Sequence, residues 1–270
     1  MKSRHPLLRW SAVLLAGVTG AALCTTSAAT AAPSYAGAQD NYAGSQIARH
    51  EGVAGSPVEY SAADQLLGHD VSGHQGAVNW AGAASAGAKF VYIKATEGTG
   101  FVNPQFAQQY NGAYGAGIVR GSYHFARPDV SDGAAQAEYF LAHGGGWSAD
   151  GKTLPGALDA EYNPYGETCY GKDAAGMVAW IKAFSETYRA RTGRLPTIYT
   201  STSWWKTCTG NSAAFGGNPL WLARYNTKVG ELPAGWGQQA IWQFANSGSL
   251  PGDQNWLNGT ASALRNLAIG

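Results

Sequence analysis

The sequence predicts an α/β fold, an incomplete (β/α) barrel of about five β/α units followed by three closely spaced strands. Over the first two thirds of the folding region, short apolar runs alternate with helix-period segments, the pattern of a parallel sheet with crossover helices. In the last third, strand candidates follow one another with few helices between them. Acidic and aromatic polar residues also recur at the ends of the strand candidates, where such barrels gather their functional side chains.

Taken in order, the first strand is expected over 66–71 and carries His69-Asp70-Val71-Ser72 at its end, with a helix over 79–86 after it. The second strand, 90–95, runs into Thr96-Glu97-Gly98 and is followed by a helix over 104–114. The third, 118–125, ends in Ser122-Tyr123-His124-Phe125 and precedes a helix over 132–143. An apolar run over 154–158 makes the fourth strand, ending at Asp159, with Glu161 two residues on. The helix that follows, 172–191, is the clearest: Met177, Trp180, Ile181, Phe184 and Tyr188 share one face, and Gly193 lies past its end. A fifth strand over 197–199 carries Tyr199 and Thr200 at its end. Strands over 220–223 and 240–244, then a final segment with Asp253-Gln254-Asn255, close the barrel.

The folded domain is expected over 66–270, about 200 residues, enough for one large core. Residues 1–32 read as an export signal: Lys2, Arg4 and Arg9 form a positive start, 10–23 an apolar stretch, and Ala29-Thr30-Ala31 a small-residue cleavage site. A membrane anchor fits less well, because the apolar stretch is short and interrupted by Gly17 and Gly20. Cys24 follows Leu23, a bulky residue where a lipoprotein signal has a small one. A secreted, extracellular protein with no stable membrane association is therefore expected. Residues 33–65, rich in Ala, Gly, Ser, Gln and Asn and without a sustained period, read as a flexible leader.

Export leaves Cys169 and Cys208 in an oxidising compartment, where a disulfide between them is expected. It would close a loop of about 40 residues, for which chain entropy gives about 4 kcal/mol as an upper figure. A metal site is the poorer alternative, since neither cysteine belongs to a Cys-x-x-Cys pair. No metal and no cofactor is expected. With a formal charge of +1 and 13% charged residues, the chain has neither a polybasic surface for nucleic acid nor an acidic tail. A polymeric partner would be held by hydrogen bonds and aromatic faces, and 10 Trp and 14 Tyr supply the latter, although most aromatics are core packing first.

Asp159 and Glu161 are the most informative pair. On one strand they would point the same way, roughly 6–7 Å apart. Such a pair can divide acid and base roles; the plainer reading is a polar strand end that caps the next helix. Asp70, Glu97, Asp159, Glu161 and Asp253 all fall at strand ends in a chain with 17 acidic residues, which favours the first reading. Carboxylates crowded on one rim raise one another's pKa and let one hold a proton near neutral pH.

Gly68-His69-Asp70-Val71-Ser72-Gly73-His74-Gln75-Gly76, Phe90-Val91-Tyr92-Ile93-Lys94-Ala95-Thr96-Glu97-Gly98 and Gly121-Ser122-Tyr123-His124-Phe125-Ala126 resemble the Chalaropsis-type lysozymes of glycoside hydrolase family 25. Leu158-Asp159-Ala160-Glu161, Leu220-Trp221-Leu222-Ala223-Arg224-Tyr225, Trp242-Gln243-Phe244 and Asp253-Gln254-Asn255 complete the resemblance, which covers 68–259 in the family's order and looks closest to secreted actinomycete members. It implies an incomplete β/α barrel and hydrolysis of the β-1,4 bond between N-acetylmuramic acid and N-acetylglucosamine in peptidoglycan. By resemblance, Glu161 is the general acid and Asp159 the neighbour that orients or charges the reacting centre. Asp70 and Asp253 are supporting carboxylates, and Glu97, Tyr123 and Tyr199 line sugar subsites. One departure is the short run 248–252 before Asp253, where members usually have a longer loop.

The stereochemical outcome stays open. Asp159 could hold the N–H of a 2-acetamido group that attacks in substrate assistance, or Asp70 or Asp253 could serve as base for water, with inversion. Other chemistries fit poorly: His69 and His74 lack zinc-ligand spacing, no Gly-x-Ser-x-Gly occurs, and His124 reads as a hydrogen-bonded barrel residue. Two rivals share parts of the pattern, a noncatalytic peptidoglycan-binding module and a chitinase-like glycosidase. A monomer acting on glycan strands is expected.

Overall fold

The computed structural model describes Met1, residues 41–55 and residues 65–270. Apart from Met1, the export signal expected over 1–32 lies outside the described residues, as do 33–40 and 56–64 of the expected leader.

The barrel strands in chain order are β1 (Gln65–Val71), β2 (Phe90–Glu97), β4 (Val119–Phe125), β5 (Ala157–Asp159), β6 (Thr197–Thr200), β7 (Leu220–Ala223), β8 (Ile241–Ala245) and β9 (Asp253–Asn258), with a two-strand flap made when β3 (Phe101–Val102) folds back on β2. Neighbours from β1 to β8 run parallel; β9 runs antiparallel to both β8 and β1, and the β1–β2 pairing closes the ring. Five helical crossovers follow β1, the β2–β3 flap, β4, β5 and β6: α2 (Trp80–Ser85), α3 (Phe106–Gly115), α4 (Gly133–Ala142), α5 (Ala174–Thr192) and α6 (Thr202–Thr209). No helix separates β7, β8 and β9, and α7 (Ala261–Ile269) ends the chain. The expected architecture is the observed one, incomplete in helices and closed in strands.

Most helix starts are set by capping. Asn79, Asp132, Asp173 and Ser201 accept from the backbone N–H of Gly82, Ala135, Gly176 and Trp204, which relieves the orphan donors of a first turn. Gly193 and Gly210 close α5 and α6 in the left-handed conformation. Aromatic residues fill the barrel: Tyr92 stacks on Trp221 at 4.7 Å, and Tyr199 meets Trp221 edge-on at the same distance. The α4–α5 layer is likewise built around Phe140, Phe184 and Tyr188, all buried.

Several expected bounds change for identifiable reasons. The strand expected over 154–159 is only Ala157–Asp159: Pro155 has no N–H to give, and the N–H of Gly156 donates to the Tyr188 hydroxyl at 2.7 Å. The segment containing Asp253 is a full strand, and because it is antiparallel its first residue lies at the rim where the parallel strands end, with Asp253 opposite Asp70. Gly252 permits that approach with φ +76°, since a Cβ there would lie 1.9 Å from the Asp70 carbonyl oxygen. The expected Cys169–Cys208 disulfide is formed, with a Cα separation of 5.3 Å; Cys169 lies in the loop after Glu161 and Cys208 inside α6.

Within the leader, the described residues form α1 (Ile47–Glu51), and Ala43 and Ile47 are buried. Its sequence lacks an amphipathic period because most of its contacts are made by backbone and polar groups.

Candidate active site

The barrel mouth brings Asp70, Asp159, Glu161 and Asp253 together, each between 0% and 4% exposed with residues 41–55 in place. Asp70 sits near the end of β1, Asp253 starts β9 beside it, and Asp159 ends β5. Glu161 lies just past β5, where Ala160 still donates its N–H to the Tyr199 carbonyl at 2.9 Å and so prolongs the ladder toward Glu161.

Each carboxylate has a different environment. Asp70 accepts from Gln243 Nε2 at 2.9 Å and Asn255 Nδ2 at 2.7 Å, and Asp253 accepts from the Tyr225 hydroxyl at 3.1 Å. Glu161 accepts three backbone N–H groups, from Gly44 at 2.8 Å and from Gln46 and Ile47 at 3.1 Å. Asp159 is buried with no hydrogen-bond partner for either oxygen among the described residues. Burial pushes the Glu161 carboxyl up to about 8 against the pull of those N–H groups, and burial pushes Asp253 up to about 7. Burial and then the neighbouring charge raise Asp70, beside Asp253, and Asp159, beside Glu161, well above the usual carboxylate range. Such a cluster shares protons, and at neutral pH part of it is protonated.

Glu97 stands at the end of β2, paired with Lys94 Nζ at 2.7 Å and accepting from the Tyr165 hydroxyl at 2.6 Å and Asn41 Nδ2 at 3.3 Å. Tyr123 and Tyr199, expected to line sugar subsites, are fully buried here. The Tyr123 hydroxyl accepts from the Ala43 N–H at 3.3 Å, and the Tyr199 hydroxyl donates to Gln243 Oε1 at 2.7 Å. Gln243, to which the sequence assigned no role, is the hub of the mouth: its Oε1 also accepts from Tyr225 at 2.8 Å while its Nε2 serves Asp70 and the Ala43 carbonyl. The available signal was a lone amide within the apolar run Ile241-Trp242-Gln243-Phe244, next to Asn255 on the neighbouring strand. His124 is bridged between Thr96 Oγ1 at 2.7 Å and Gln136 Oε1 at 2.9 Å, and burial lowers its pKa to about 4; it is the barrel residue the sequence indicated.

A profile of the family described as Glycosyl hydrolases family 25 matches residues 69–253. The chain belongs to this family. As a family 25 glycoside hydrolase, it has a matched span that starts beside Asp70 and ends at Asp253, the two residues paired across β1 and β9. It is 55% identical over 210 residues to the N,O-diacetylmuramidase of a Chalaropsis species, a match over 76% of this chain and 100% of that enzyme. Lysozyme M1 of Streptomyces globisporus is 42% identical over 278 residues, 96% of this chain and 95% of that protein, so this match reaches into residues ahead of β1. The structure of a muramidase from Acremonium alcalophilum superposes with a TM-score of 0.75 at 55% identity, covering 76% of this chain and 99% of that one. Among the described residues of this family 25 chain, no helix is long and apolar enough to cross a membrane.

Proposed function

We propose that the protein is an exported muramidase that hydrolyses the β-1,4 bond between N-acetylmuramic acid and N-acetylglucosamine in bacterial peptidoglycan, acting as a monomer. The observation that carries the reading is the buried pair at the barrel mouth: Asp159 ends β5 with neither oxygen partnered among the described residues, and Glu161, its carboxyl pushed up by burial, follows two residues on. Glycoside hydrolysis needs an acid to protonate the leaving oxygen and negative charge to stabilise an oxocarbenium-like transition state. Glu161 supplies the proton. Asp159, with neither oxygen partnered among the described residues, accepts the N–H of the muramic 2-acetamido group and positions its carbonyl for attack. Asp70 and Asp253, fixed by Gln243, Asn255 and Tyr225, hold the opposite wall, and Glu97 anchors a neighbouring subsite. The names of the two relatives support the substrate class. A purely binding module would gain nothing from burying the unpartnered Asp159 carboxylate, which costs several kcal/mol unless it protonates.

Mass spectrometry of fragments released from a defined peptidoglycan tests this, because the new reducing sugar identifies the bond. Muramic acid at that end is the expected result. N-acetylglucosamine ends, free stem peptides, or preferential release from chitin would overturn it.

A further inference from the structure

Residues 41–55 cross the mouth of the barrel and bind Glu161 and Glu97. At one side, Asn41 contacts Glu97 through its amide and receives the Lys94 ammonium on its carbonyl. Ala43 then spans Tyr123 and Gln243, its N–H donating to one and its carbonyl accepting from the other. The N–H groups of Gly44, Gln46 and Ile47 converge on the two oxygens of Glu161. At the far side, Glu51 accepts from Tyr162 at 3.0 Å and from Ser201, His50 stacks on Tyr162 at 4.1 Å, and the Ala54 N–H reaches the Tyr225 carbonyl at 2.9 Å.

Open space continues on both sides of the strap. A cavity of about 450 Å³ lies between His50, Tyr162, Lys206 and Arg224, and another of about 320 Å³ lies between Tyr42, His74, Asn246 and Asp253. The strap therefore divides a longer groove at its centre, over the carboxylates. Its fit tolerates no side chain at the crossing point: Gly44 has φ +97°, and a Cβ would lie 1.9 Å from the Tyr225 hydroxyl and 2.7 Å from Gln243 Oε1. With three backbone N–H groups on its two oxygens, Glu161 cannot reach a leaving oxygen while the strap is in place.

We propose that residues 41–55 are an intramolecular inhibitor that occludes the glycan groove and sequesters Glu161 until the segment is displaced. The proposal rests on reading Glu161 and its neighbours as the reacting centre. Covalent attachment makes the occlusion intramolecular, so modest contacts suffice to keep it closed. Sugar and strap cannot be bound together, because the Glu161 oxygens face the strap backbone.

The test uses the full chain with a specific endopeptidase recognition sequence inserted between residue 55 and Gln65. Wall solubilisation is compared before and after the cut, once the freed segment has been separated, in the otherwise native chain and with Gly44→Leu. We expect the uncut native chain to be slower than the cut form by at least 100-fold, the uncut Gly44→Leu chain to recover most of that difference, and the two cut forms to be equal. Added peptide 41–55 should slow the cut enzyme. Equal rates in the cut and uncut native chains overturn the proposal. Because the cut follows folding, this comparison stands even where Gly44→Leu folds poorly. A readout independent of substrate separates this proposal from the muramidase reading: carbodiimide-driven amidation of Glu161, located by peptide mass spectrometry. Protection in the uncut chain and labelling after the cut support occlusion whatever the substrate is, and equal labelling refutes it.

Discussion

Glu161 and Asp159 are two residues apart, yet among the described residues one is met by three N–H donors and the other by none. That difference gives each a distinct expected phenotype. Glu161→Gln keeps size and acceptor capacity but has no proton to give, so turnover of the freed enzyme should fall by about 10²–10⁴ with wall binding retained. Near-native turnover in that variant, with loss in Asp70→Asn or Asp253→Asn, would move the acid elsewhere. Asp159→Asn should also be inactive, but more stable. Its native pKa lies well above that of an unfolded Asp, so above about pH 4 the native state keeps a proton that the unfolded chain releases, and stability falls as pH rises. The variant's melting temperature should exceed the parent's at pH 8 and match it at pH 3.5; a loss at pH 8 would show that Asp159 gains stability from its surroundings. At this scale, the four carboxylates were legible because strand ends concentrate chemistry. Gln243 and Asn255 were not assigned roles because a lone amide on an apolar strand is only a weak signal until its neighbours across the barrel are known.

Among the elements, the alternation of strands and helices was legible where an element is long enough to show a period. Helix α5 shows a clean apolar face, and Asn79, Asp132 and Asp173 mark helix starts. Helix α6 escaped notice because its eight residues include Trp204, Trp205 and Cys208, all buried, over too short a span to display a period. Strand β9 was visible only as an acidic motif, since the direction of a strand is set by the strand it joins. The Cys169–Cys208 bond links the loop after Glu161 to α6. Replacing both by serine should lower the melting temperature, with about 4 kcal/mol as the ceiling from chain entropy, and leave turnover measurable below the new transition. Complete inactivity in a still-folded double variant would mean that the bond positions the Glu161 loop for chemistry. The leader's five-residue α1 was beyond reach of periodicity altogether, because it is held by backbone N–H groups on a carboxylate whose position the sequence alone does not give.

Across the whole molecule, two sets of buried groups oppose one another as pH changes. His69 and His124 are buried and lowered to about 4, so between about 6.5 and 4 the unfolded chain takes up protons there that the native state refuses, which destabilises the native state on acidification. The mouth carboxylates act the other way. Asp253 at about 7, Glu161 at about 8, and Asp70 and Asp159 raised by burial keep protons in the native state at pH values where unfolded carboxylates have lost them. Their contribution to stability is therefore full below about pH 4 and declines as pH rises toward 8. Between pH 8.5 and 6.5 only the carboxylate set responds, and stability must rise as protons are added. Below 6.5 the two histidines subtract from that gain and flatten the curve. The melting temperature of the intact chain should therefore be higher at pH 6 than at pH 8.5 by at least about 3 °C, the shift that about 1 kcal/mol produces in a domain of this size. Differential scanning calorimetry at the two pH values decides it. A melting temperature that is flat or higher at pH 8.5 would mean that the mouth carboxylates are already ionised in the native state with residues 41–55 in place.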